Sequence, residues 1–440
     1  MSYTKYFEKA KQEGLESLEL HVSRHYELSF GLFHGEVASY SLSDSSGMSA
    51  RGIYKGKIGY AYSEKVAKET PTFLISQIKE NALGVDMDDP AIIFKGSERY
   101  KKKTIFNPAI SQISIDEKMK NLHEIEAKLK AADPRVIEVE SCDYSEAEDE
   151  TTLVNSYGLK LKSKSNYFYY YASVVVKEGE DVKTGYKIKL ANDPKEFVLD
   201  DFVKEVIQNA VDKLGGKPCE SKKYPTVLSP KVTASLVGVY LESASAEEVQ
   251  KHSSLLEGQL HQKIASSKVT ISELPLKKTC FFRYFDDEGV ATYNKAIVEK
   301  GLLKTYLYNL TTAAKDGVTT TANGYKAGGK VDIGYVNVEL KSGRKSLDEI
   351  FAKVGEGIYI DEVQGMHSGM NAQSGNFSLQ ASGFMIHGGK KAEPVNLITV
   401  AGNLKQLFLD IKEVANNSEL QLSSISAPSV LVKKLAISGK

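Results

Sequence analysis

The 440-residue sequence has no tryptophan, and its three cysteines, Cys142, Cys219 and Cys280, lie far apart. An odd number of scattered thiols does not form a disulfide framework, and no Cys-x-x-Cys pair indicates a zinc site. Long apolar runs are also missing. No stretch approaches the roughly 18 apolar residues that cross a bilayer, and the first residues lack the apolar core of a secretory signal. These absences predict a cytoplasmic protein without membrane contact.

The chain has no excess of charge of either sign, because 57 lysines and arginines balance 57 aspartates and glutamates. Proteins that bind nucleic acid usually carry a basic face. The short basic run Lys101–Lys103 is more typical of a solvated loop. We therefore expect no direct contact with nucleic acid.

Common signatures of catalysis and metal binding are missing as well. No Gly-x-Ser-x-Gly elbow indicates a serine nucleophile. His252 and His261 are nine residues apart, which places them on opposite faces of a helix, whereas zinc peptidases space two histidines about one turn apart. The run Gly324–Lys330 resembles a phosphate loop, but Val331 stands where a serine or threonine would hold magnesium. Sequence motifs therefore identify no catalytic residue and no metal ligand in this chain.

The first half of the sequence contains a repeated pattern. A helix near residues 4–13, several short strands and a second amphipathic helix make up the first unit. The same order recurs after Ser114 and Glu117, which have the spacing of a helix capping box. Each unit could bury one face of a small sheet beneath its helices. We predict two helix–antiparallel-sheet modules, over residues 1–100 and 101–217.

The second half changes character after Gly215–Pro218, a break that contains glycine and proline. Ser229 and Pro230 resemble a helix cap followed by proline in the first turn. After about residue 268 the chain becomes rich in glycine and in strand-like segments. We predict a larger β-rich domain with a few helices over residues 218–440, and an α+β protein as a whole.

An acidic turn at Asp286, Asp287 and Glu288, followed by Gly289, is the first candidate site. Carboxylates grouped in this way can bind a hard cation or act as general acid and base. The simpler interpretation is a β-turn, since aspartate and glycine favour turns. We favour the turn and keep its three carboxylates as candidates.

A glycine- and serine-rich stretch is the second candidate. Small residues let another backbone approach closely, as when an extended peptide adds to the edge of a sheet. A tight corner of a barrel would need the same residues, and the sequence does not separate these two interpretations. The candidate peptide-groove or interface residues are Gly365, Ser374, Gly375, Asn376, Phe377 and Ser378.

Several short motifs of the second half, taken in order, resemble the C-terminal domain of the TldD/TldE (PmbA) family. These motifs are Asp286–Val290, Gly301–Lys304, Gly365–Ser378 and Ala401–Leu404. Their spacing is similar over about residues 220–440, and the modules before them agree with the layout of the family. Asn376 departs from the pattern, since the family often has aspartate there.

The resemblance implies a cytoplasmic, heteromeric metallopeptidase that processes peptides and degrades unstructured polypeptides. In this family, TldD-type subunits carry a His-Glu-x-x-x-His helix, and a cysteine near the C-terminus completes the zinc site. The corresponding helix here lies within Val232–Val249, where Glu242–Glu247 has neither histidine, and Leu422–Pro428 offers serines instead of a cysteine. The chain is therefore similar to a TldE/PmbA-type subunit. We expect no cofactor in it and zinc in its partner.

The resemblance also implies the partners, which are a TldD-type zinc subunit and an extended peptide substrate. The isolated chain could form a homodimer. Two alternatives stay open. A self-sufficient hydrolase would have to use the acidic turn at Asp286–Glu288. A non-enzymatic binding or regulatory protein, of the kind linked in this family to control of DNA gyrase, would show no peptidase activity with any partner.

Overall fold

The computed structural model of the chain describes residues 3–65, 67–84, 89–327 and 330–440. Helices α1 to α11 span Thr4–Gln12, Thr70–Gly84, Ala109–Gln112, Ile115–Ala132, Leu199–Val211, Pro230–Glu242, Ala246–Gln250, Leu310–Asp316, Leu347–Val354, Met366–Gly369 and Leu404–Leu409. Strands β1 to β20 span Ser17–Phe33, Glu36–Tyr54, Lys57–Ser63, Val136–Asn155, Lys160–Glu178, Asp181–Ala191, Lys222–Leu228, Ile271–Glu273, Lys295–Glu299, Leu302–Leu303, Gly324–Ala327, Lys330–Ile333, Val338–Leu340, Gly357–Gln364, Asn376–His387, Lys390–Asn403, Ile411–Val414, Glu419–Leu420, Ile425–Ala427 and Val430–Ser438. In the part of the chain that the structure describes, no helix is long and apolar enough to cross a membrane.

The first six strands form one antiparallel sheet in the order β3-β2-β1-β4-β5-β6. Strands β1 and β4 lie at its centre and pair along most of their length, from Glu19 opposite Asn155 to Leu32 opposite Cys142. Each of the two predicted modules contributes a three-stranded meander. The modules therefore share one sheet, and its middle is the pairing between their first strands.

The helices of this half pack on one face of the sheet. Leu18, Leu20, Leu28 and Phe30 of β1 point the same way, because side chains alternate along a strand. The first two are buried in a cluster with residues of α1 and α2, and the others in a cluster with residues of α4 and α5. One layer of helices thus covers one face of the sheet, which confirms the predicted α+β class for this half.

The second half is built around a closed ring of strands. Strands β7, β14, β15, β16 and β20 form it, because β16 pairs with both β15 and β20. A second sheet has the order β10-β9-β8-β13-β19-β18. Helix α6 contributes Val232, Leu236, Val237 and Tyr240 to the buried core that residues from both sheets share. The predicted β-rich second half with a few helices is confirmed.

Helix α6 begins as the sequence predicts. The Ser229 side chain accepts a hydrogen bond from the Val232 N–H at 3.3 Å, and Pro230 occupies the first turn. The helix is shorter than the segment in which it was expected, because it ends at Glu242 and a separate helix begins at Ala246.

Two further helices start at the capping patterns found in the sequence. At α9 both halves of the box form: Ser346 Oγ accepts from the Glu349 N–H at 3.2 Å, and the Ser346 N–H donates to Glu349 Oε2 at 2.7 Å. At α4 the Ser114 side chain accepts from the Glu117 N–H at 3.2 Å. The helix start predicted at Ser114 is confirmed, and Ser346 and Glu349 have the same capping-box spacing in the sequence.

Replacing Ser346 by alanine should lower the free energy of unfolding by about 1 kcal/mol, because one helix-terminal N–H then loses its acceptor. Ser346→Asp is the matched control, since an aspartate can accept the same hydrogen bond. Urea unfolding followed by circular dichroism measures both. An alanine variant as stable as the aspartate variant would show that this cap contributes nothing.

The described residues on either side of Gly328 and Gly329, in the run that resembles a phosphate loop, pair as two antiparallel strands. Strands β11 and β12 pair from Gly324 opposite Ile333 to Ala327 opposite Lys330. Gly328 and Gly329 lie outside the described residues. A phosphate loop leads into the N-terminus of a helix, whereas this run leads into a strand. The run is thus followed by strand β12 and not by the helix N-terminus of a phosphate loop.

Candidate functional site

A pocket of about 620 Å³ lies between the two halves of the chain. Strand β6 and the end of α5 line it from the N-terminal half. From the other half it is lined by α6, α9, the ring strands β14 to β16 and the loop before β19. Its aromatic lining residues are Tyr186, Phe351, Tyr359 and Phe384. Pockets of roughly 300–1,000 Å³ are the size that proteins use for small ligands.

Two segments that are far apart in sequence meet at this pocket. Val232, Ala234 and Ser235 line it from the first turns of α6, and Leu422 and Ser423 line it from the loop before β19. These segments belong to the two regions in which the resemblance places the zinc ligands of a TldD-type subunit. The fold therefore brings the start of the first region next to the second, although Glu242–Glu247 itself does not line this pocket.

The hexapeptide Glu242–Glu247, which the sequence suggested as the counterpart of the zinc motif, lies elsewhere. It crosses the break between α6 and α7 and borders a second pocket of about 420 Å³, together with Asp332 and Tyr335. A His-Glu-x-x-x-His motif needs a continuous helix, because its histidines must reach one metal from the same face. The prediction that this hexapeptide lies within a helix is wrong, since α6 ends at its first residue.

Ion pairs line the larger pocket. Lys231 Nζ lies 3.4 Å from Asp361 Oδ2, and Lys213 Nζ, close by, lies 3.0 Å from Glu362 Oε2. Burial opposes the charged form of Glu362, but Lys231 and Lys213 together lower the pKa of this carboxyl. Burial likewise opposes the charge of Lys231, whose pKa is nevertheless raised by Asp361. Lysines and carboxylates therefore neutralise each other in pairs along this wall.

The donor atoms of the pocket do not match a zinc site. Proteins hold zinc with histidine, cysteine and carboxylate side chains, and neither histidine nor cysteine is among the lining residues. Three of the four lining carboxylates pair with lysines, those of Asp212, Asp361 and Glu362. In the described ranges of the chain, no group of three or more histidine, cysteine, aspartate or glutamate residues is placed to hold a metal. We therefore assign no metal-dependent step to this pocket.

The acidic turn is buried rather than exposed. Asp286, Asp287 and Glu288 are 2%, 7% and 1% exposed. The Gly289 N–H donates to the Asp286 carbonyl at 3.0 Å, which makes the predicted turn, and the Asp286 N–H donates to the Val290 carbonyl at 2.9 Å. Asp286 Oδ1 accepts from the Glu288 and Val290 N–H groups, and its Oδ2 accepts from the Gly324 N–H at 2.9 Å. Burial, with the charge of Glu288 as a second cause, raises the pKa of Asp286.

Glu288 connects the acidic turn to the N-terminal sheet. Arg51 of β2 donates from Nη1 to Glu288 Oε1 at 2.9 Å and from Nε to Glu19 Oε1 at 2.7 Å. Glu288 Oε2 also accepts from the Leu310 N–H at 2.7 Å. Burial raises the pKa of Glu288 and Arg51 acts in the opposite direction. We call Glu19, Arg51 and Glu288 the Arg51 cluster; each of these residues is at most 2% exposed.

Asp287 makes a second connection between the same two parts of the chain. Its Oδ1 lies 3.2 Å from His21 Nε2 of β1 and also pairs with Arg283, and its Oδ2 accepts from the Lys326 N–H at 2.7 Å. Burial would raise the pKa of Asp287, but Arg283 and His21 hold it well below its usual range. All three carboxylates of the turn thus bind groups of the chain itself. This arrangement favours a structural role over cation binding or proton transfer.

The glycine- and serine-rich stretch folds back on its own chain. The Asn371 N–H donates to the Asn376 carbonyl at 2.9 Å, and Met370 forms a bridge to Phe377. A β-carbon added to Gly369 would lie 2.3 Å from the Ser378 carbonyl oxygen. The small residue is therefore needed because a neighbouring segment of the same chain approaches closely. This is the geometry of the tight barrel corner.

The start of β15 is also paired on its other side. Asn376, Phe377 and Ser378 lie opposite Asn403, Gly402 and Ala401 of β16. Within residues 376–378 the chain itself lies on both sides, which favours the barrel-corner interpretation over a free edge for a peptide there. The six candidate residues differ in their exposure to solvent. Gly365, Ser374, Asn376 and Ser378 are exposed, whereas Gly375 and Phe377 are buried.

Comparison with known proteins covers nearly the whole chain. Three family models match in order: PmbA/TldA metallopeptidase domain 1 over residues 18–82, the central domain over 108–214 and the C-terminal domain over 221–439. The metalloprotease PmbA homolog of Buchnera aphidicola is 28% identical over 293 residues. That match covers 65% of this chain and 62% of the Buchnera protein, which is less than two thirds of its length.

Two solved structures have the same fold. A Thermotoga maritima protein, provisionally named a modulator of a DNA gyrase, has a TM-score of 0.92 and 29% identity, and the match covers 99% of each chain. TldE from Thermococcus kodakarensis has a TM-score of 0.91 over 99% of each chain, and at 22% identity it shows the fold alone. Because the three family models together account for most of its length, the chain belongs to the PmbA/TldD family.

Proposed function

We propose that this chain is the non-zinc, TldE/PmbA-type subunit of a two-component peptidase that processes peptides and unfolded polypeptides. The observation that carries the proposal is the pocket between α6 and residues 421–423. The start of α6 and residues 421–423, which belong to the two regions that the resemblance relates to the family's zinc ligands, meet there. The counterpart of the zinc motif itself, Glu242–Glu247, borders the second pocket, and the lining of neither pocket includes a histidine or cysteine among the described residues. Zinc bound by a TldD-type partner would polarise a substrate carbonyl and activate water.

In this proposal the chain binds the extended peptide substrate and excludes folded domains from the pocket. The pocket combines aromatic rings with neutralised ion pairs, so it offers both apolar contact and hydrogen bonding without a strong net charge. Such a lining can bind peptide segments of varied sequence, whereas a lining with a strong net charge would favour one kind of charged side chain. A volume of about 620 Å³ admits a short extended stretch and excludes a folded domain.

The test is reconstitution with a TldD-type partner. The purified chain alone should hold no stoichiometric zinc and should cleave an unstructured polypeptide no faster than buffer does. Addition of the zinc-bearing partner should produce cleavage well above the sum of the separate rates, because the metal and the binding surface then act together. Metal analysis by mass spectrometry and a fluorescent peptide assay measure the two properties.

The matched control is a partner in which the glutamate of its His-Glu-x-x-x-His motif is replaced by glutamine. This partner should still bind the chain, and the mixture should be inactive. If the zinc-free chain alone cleaved peptides at the rate of the mixture, the proposal would be wrong. If no partner produced activity while binding was intact, the non-enzymatic alternative would replace it.

A further inference from the structure

The face of the N-terminal sheet opposite to its helices carries a cavity of about 340 Å³. Phe30 of β1 is buried toward the helices, so its neighbour Gly31 points to the opposite face. Gly31 lies opposite Asp143 of β4. Further across the sheet, Asp143 lies opposite Tyr171 of β5, and Tyr171 lies opposite Ile188 of β6. Asp143, Tyr171 and Ile188 line the cavity from this one row.

The carboxylate of Asp143 has no cationic partner in this cavity. Asp143 is the one charged side chain among the described residues that line it. Its Oδ2 accepts a hydrogen bond from Ser141 Oγ. In the described part of the chain, no lysine, arginine or histidine nitrogen lies within 4.0 Å of this carboxylate. In the larger pocket, by contrast, Asp361 pairs with Lys231. The Asp143 carboxylate is therefore available to a cation that another molecule supplies.

The position of Gly31 leaves room for this carboxylate. A β-carbon added to Gly31 would overlap Oδ1 of Asp143, which extends across the neighbouring strand. Any larger residue at position 31 would have to displace that oxygen. The strand pairing thus places the one charged group of the cavity over a glycine, where its second oxygen is not covered by a side chain of β1.

Aromatic and aliphatic side chains surround the carboxylate. Tyr169 and Tyr171 are two residues apart on β5, so they point to the same face, and both are half-buried. Aromatic rings attract cations through their faces. Ile188 and Leu422 are 36% and 40% exposed and provide apolar surface. Lysine and arginine pair an apolar stem with a charged end, so this combination fits their side chains. We call the space lined by these four residues and Asp143 the Asp143 cavity.

The Asp143 cavity continues into the larger pocket. Ile188 and Leu422 line both spaces. The ring centroids of Tyr171 in the cavity and Tyr186 in the larger pocket are 5.9 Å apart. In an extended peptide, side chains two residues apart point the same way and are separated by roughly 6.6 Å. One extended segment can therefore place one side chain in each space.

We propose that the Asp143 cavity binds a lysine or arginine side chain of the substrate polypeptide, two residues from the side chain that occupies the larger pocket. Asp143 binds the cation, and Tyr169 and Tyr171 enclose its stem. The proposal rests on the proposed function, because it names the class of peptide that this binding surface selects. The larger pocket then accepts varied side chains, whereas the cavity adds a preference for a basic one.

Fluorescence anisotropy of labelled, unstructured peptides tests the proposal on the full-length chain. Each peptide carries one phenylalanine for the larger pocket and a variable residue two positions away. The peptide with lysine there should bind at least ~10-fold more tightly than the peptide with norleucine, because norleucine has a similar stem without the charge. Lysine placed directly beside the phenylalanine should bring no gain, since neighbouring side chains point to opposite sides.

Asp143→Asn should weaken binding of the lysine peptide by about 10-fold and leave the norleucine peptide unchanged. Asp149→Asn is the matched control. Asp149 lies on the same strand and the same face, six residues or roughly 20 Å from Asp143, and it pairs with His25 at 2.8 Å. This variant should keep the full preference for lysine. Tyr171→Leu should reduce the preference several-fold, whereas Tyr171→Phe keeps the ring and should not.

Three results would overturn the proposal. These are equal binding of the lysine and norleucine peptides, a lysine preference that survives Asp143→Asn, or an equal loss in the Asp143→Asn and Asp149→Asn variants. Free butylamine that displaced the lysine peptide as effectively as an unlabelled copy of that peptide would also contradict it, because the site would then bind free amines. Circular dichroism shows whether each variant has kept its fold.

Failure of the proposed function would be seen separately. The binding assay uses neither zinc nor a partner subunit, whereas the peptidase role is tested by cleavage in the reconstituted pair. If the pair cleaved peptides but the chain bound lysine and norleucine peptides equally, the Asp143 cavity alone would lose its assignment. If the lysine preference and its dependence on Asp143 held but no pair was active, the chain would be a peptide-binding protein without the proposed peptidase role.

Discussion

Replacing Arg51 by alanine should lower the free energy of unfolding by about 3–5 kcal/mol, which is the usual cost of removing one partner from a buried ion pair. Arg51 is 2% exposed and donates to both Glu19 and Glu288. Without its guanidinium group, the two carboxylates would lie in the interior without their cationic partner. Urea unfolding, monitored by circular dichroism, measures the loss.

Arg24→Ala is the matched control. Arg24 lies on the neighbouring strand β1 and also forms an arginine–carboxylate pair, with Asp44, but both side chains are 49% exposed. Water solvates the remaining Asp44 carboxylate after the substitution, so the unfolding midpoint should hardly change. Equal destabilisation by Arg51→Ala and Arg24→Ala would show that burial of the Arg51 cluster does not determine its contribution.

The substitution Arg51→Ala should have a second effect, because of where the Arg51 cluster lies. Glu19 and Arg51 belong to the N-terminal sheet, whereas Glu288 belongs to the turn before β9. The larger pocket lies between the same two parts of the chain. Because the cluster links the sheet to the second half, its loss should also loosen the walls of that pocket relative to each other.

Much of the fold follows from local signals in the sequence. The capping serines Ser114 and Ser346 and the Ser229–Pro230 pair mark helix starts that the structure contains. Caps act within one turn of helix, so a sequence shows them directly. The alternation of apolar residues likewise indicated the strands of the first meander.

Strand β4 shows where local signals fail. In the sequence, residues 135–142 and 151–153 have the pattern of two separate strands, whereas the structure has one strand from Val136 to Asn155. The intervening residues include several carboxylates, which read locally as a loop. Lysines of β5 compensate for them across the sheet, since Lys164 and Lys162 lie 2.7 Å from Glu148 and Glu150. That compensation becomes visible only once the strand pairing is known.

The candidate sites were harder to predict, because they depend on contacts between residues that are far apart in the sequence. The acidic turn was correctly located, but its burial comes from His21 and Arg51, more than 200 residues earlier in the chain. Sequence reasoning did not select these two residues, because a single polar residue on a strand is typical of a solvent-facing side. The pairing of Lys231 with Asp361 in the pocket was missed because these residues, on α6 and β14, are far apart in the sequence.

Helix α6 forms one wall of the larger pocket. The buried side of this helix packs in an aromatic stack. The rings of Tyr240 and Phe408 lie 4.2 Å apart at an interplanar angle of 8°, and both residues are 1% exposed. The Tyr240 hydroxyl donates to the Ile264 carbonyl at 2.8 Å. Phe408 lies on the short helix α11, so this contact joins the two helices inside the core of the second half.

Phe408→Ala should therefore cost about 3–5 kcal/mol of unfolding free energy, since it removes a buried ring and leaves a cavity beside Tyr240. Phe408→Leu fills more of that space and should cost less. Phe73→Ala is the control, because Phe73 is 50% exposed on α2 and loses little burial. Hydrogen exchange should also become faster in the α6 amides of the alanine variant, as their packing is lost. If Phe408→Ala were no more destabilising than Phe73→Ala, the stack would not be what positions α6 at the pocket.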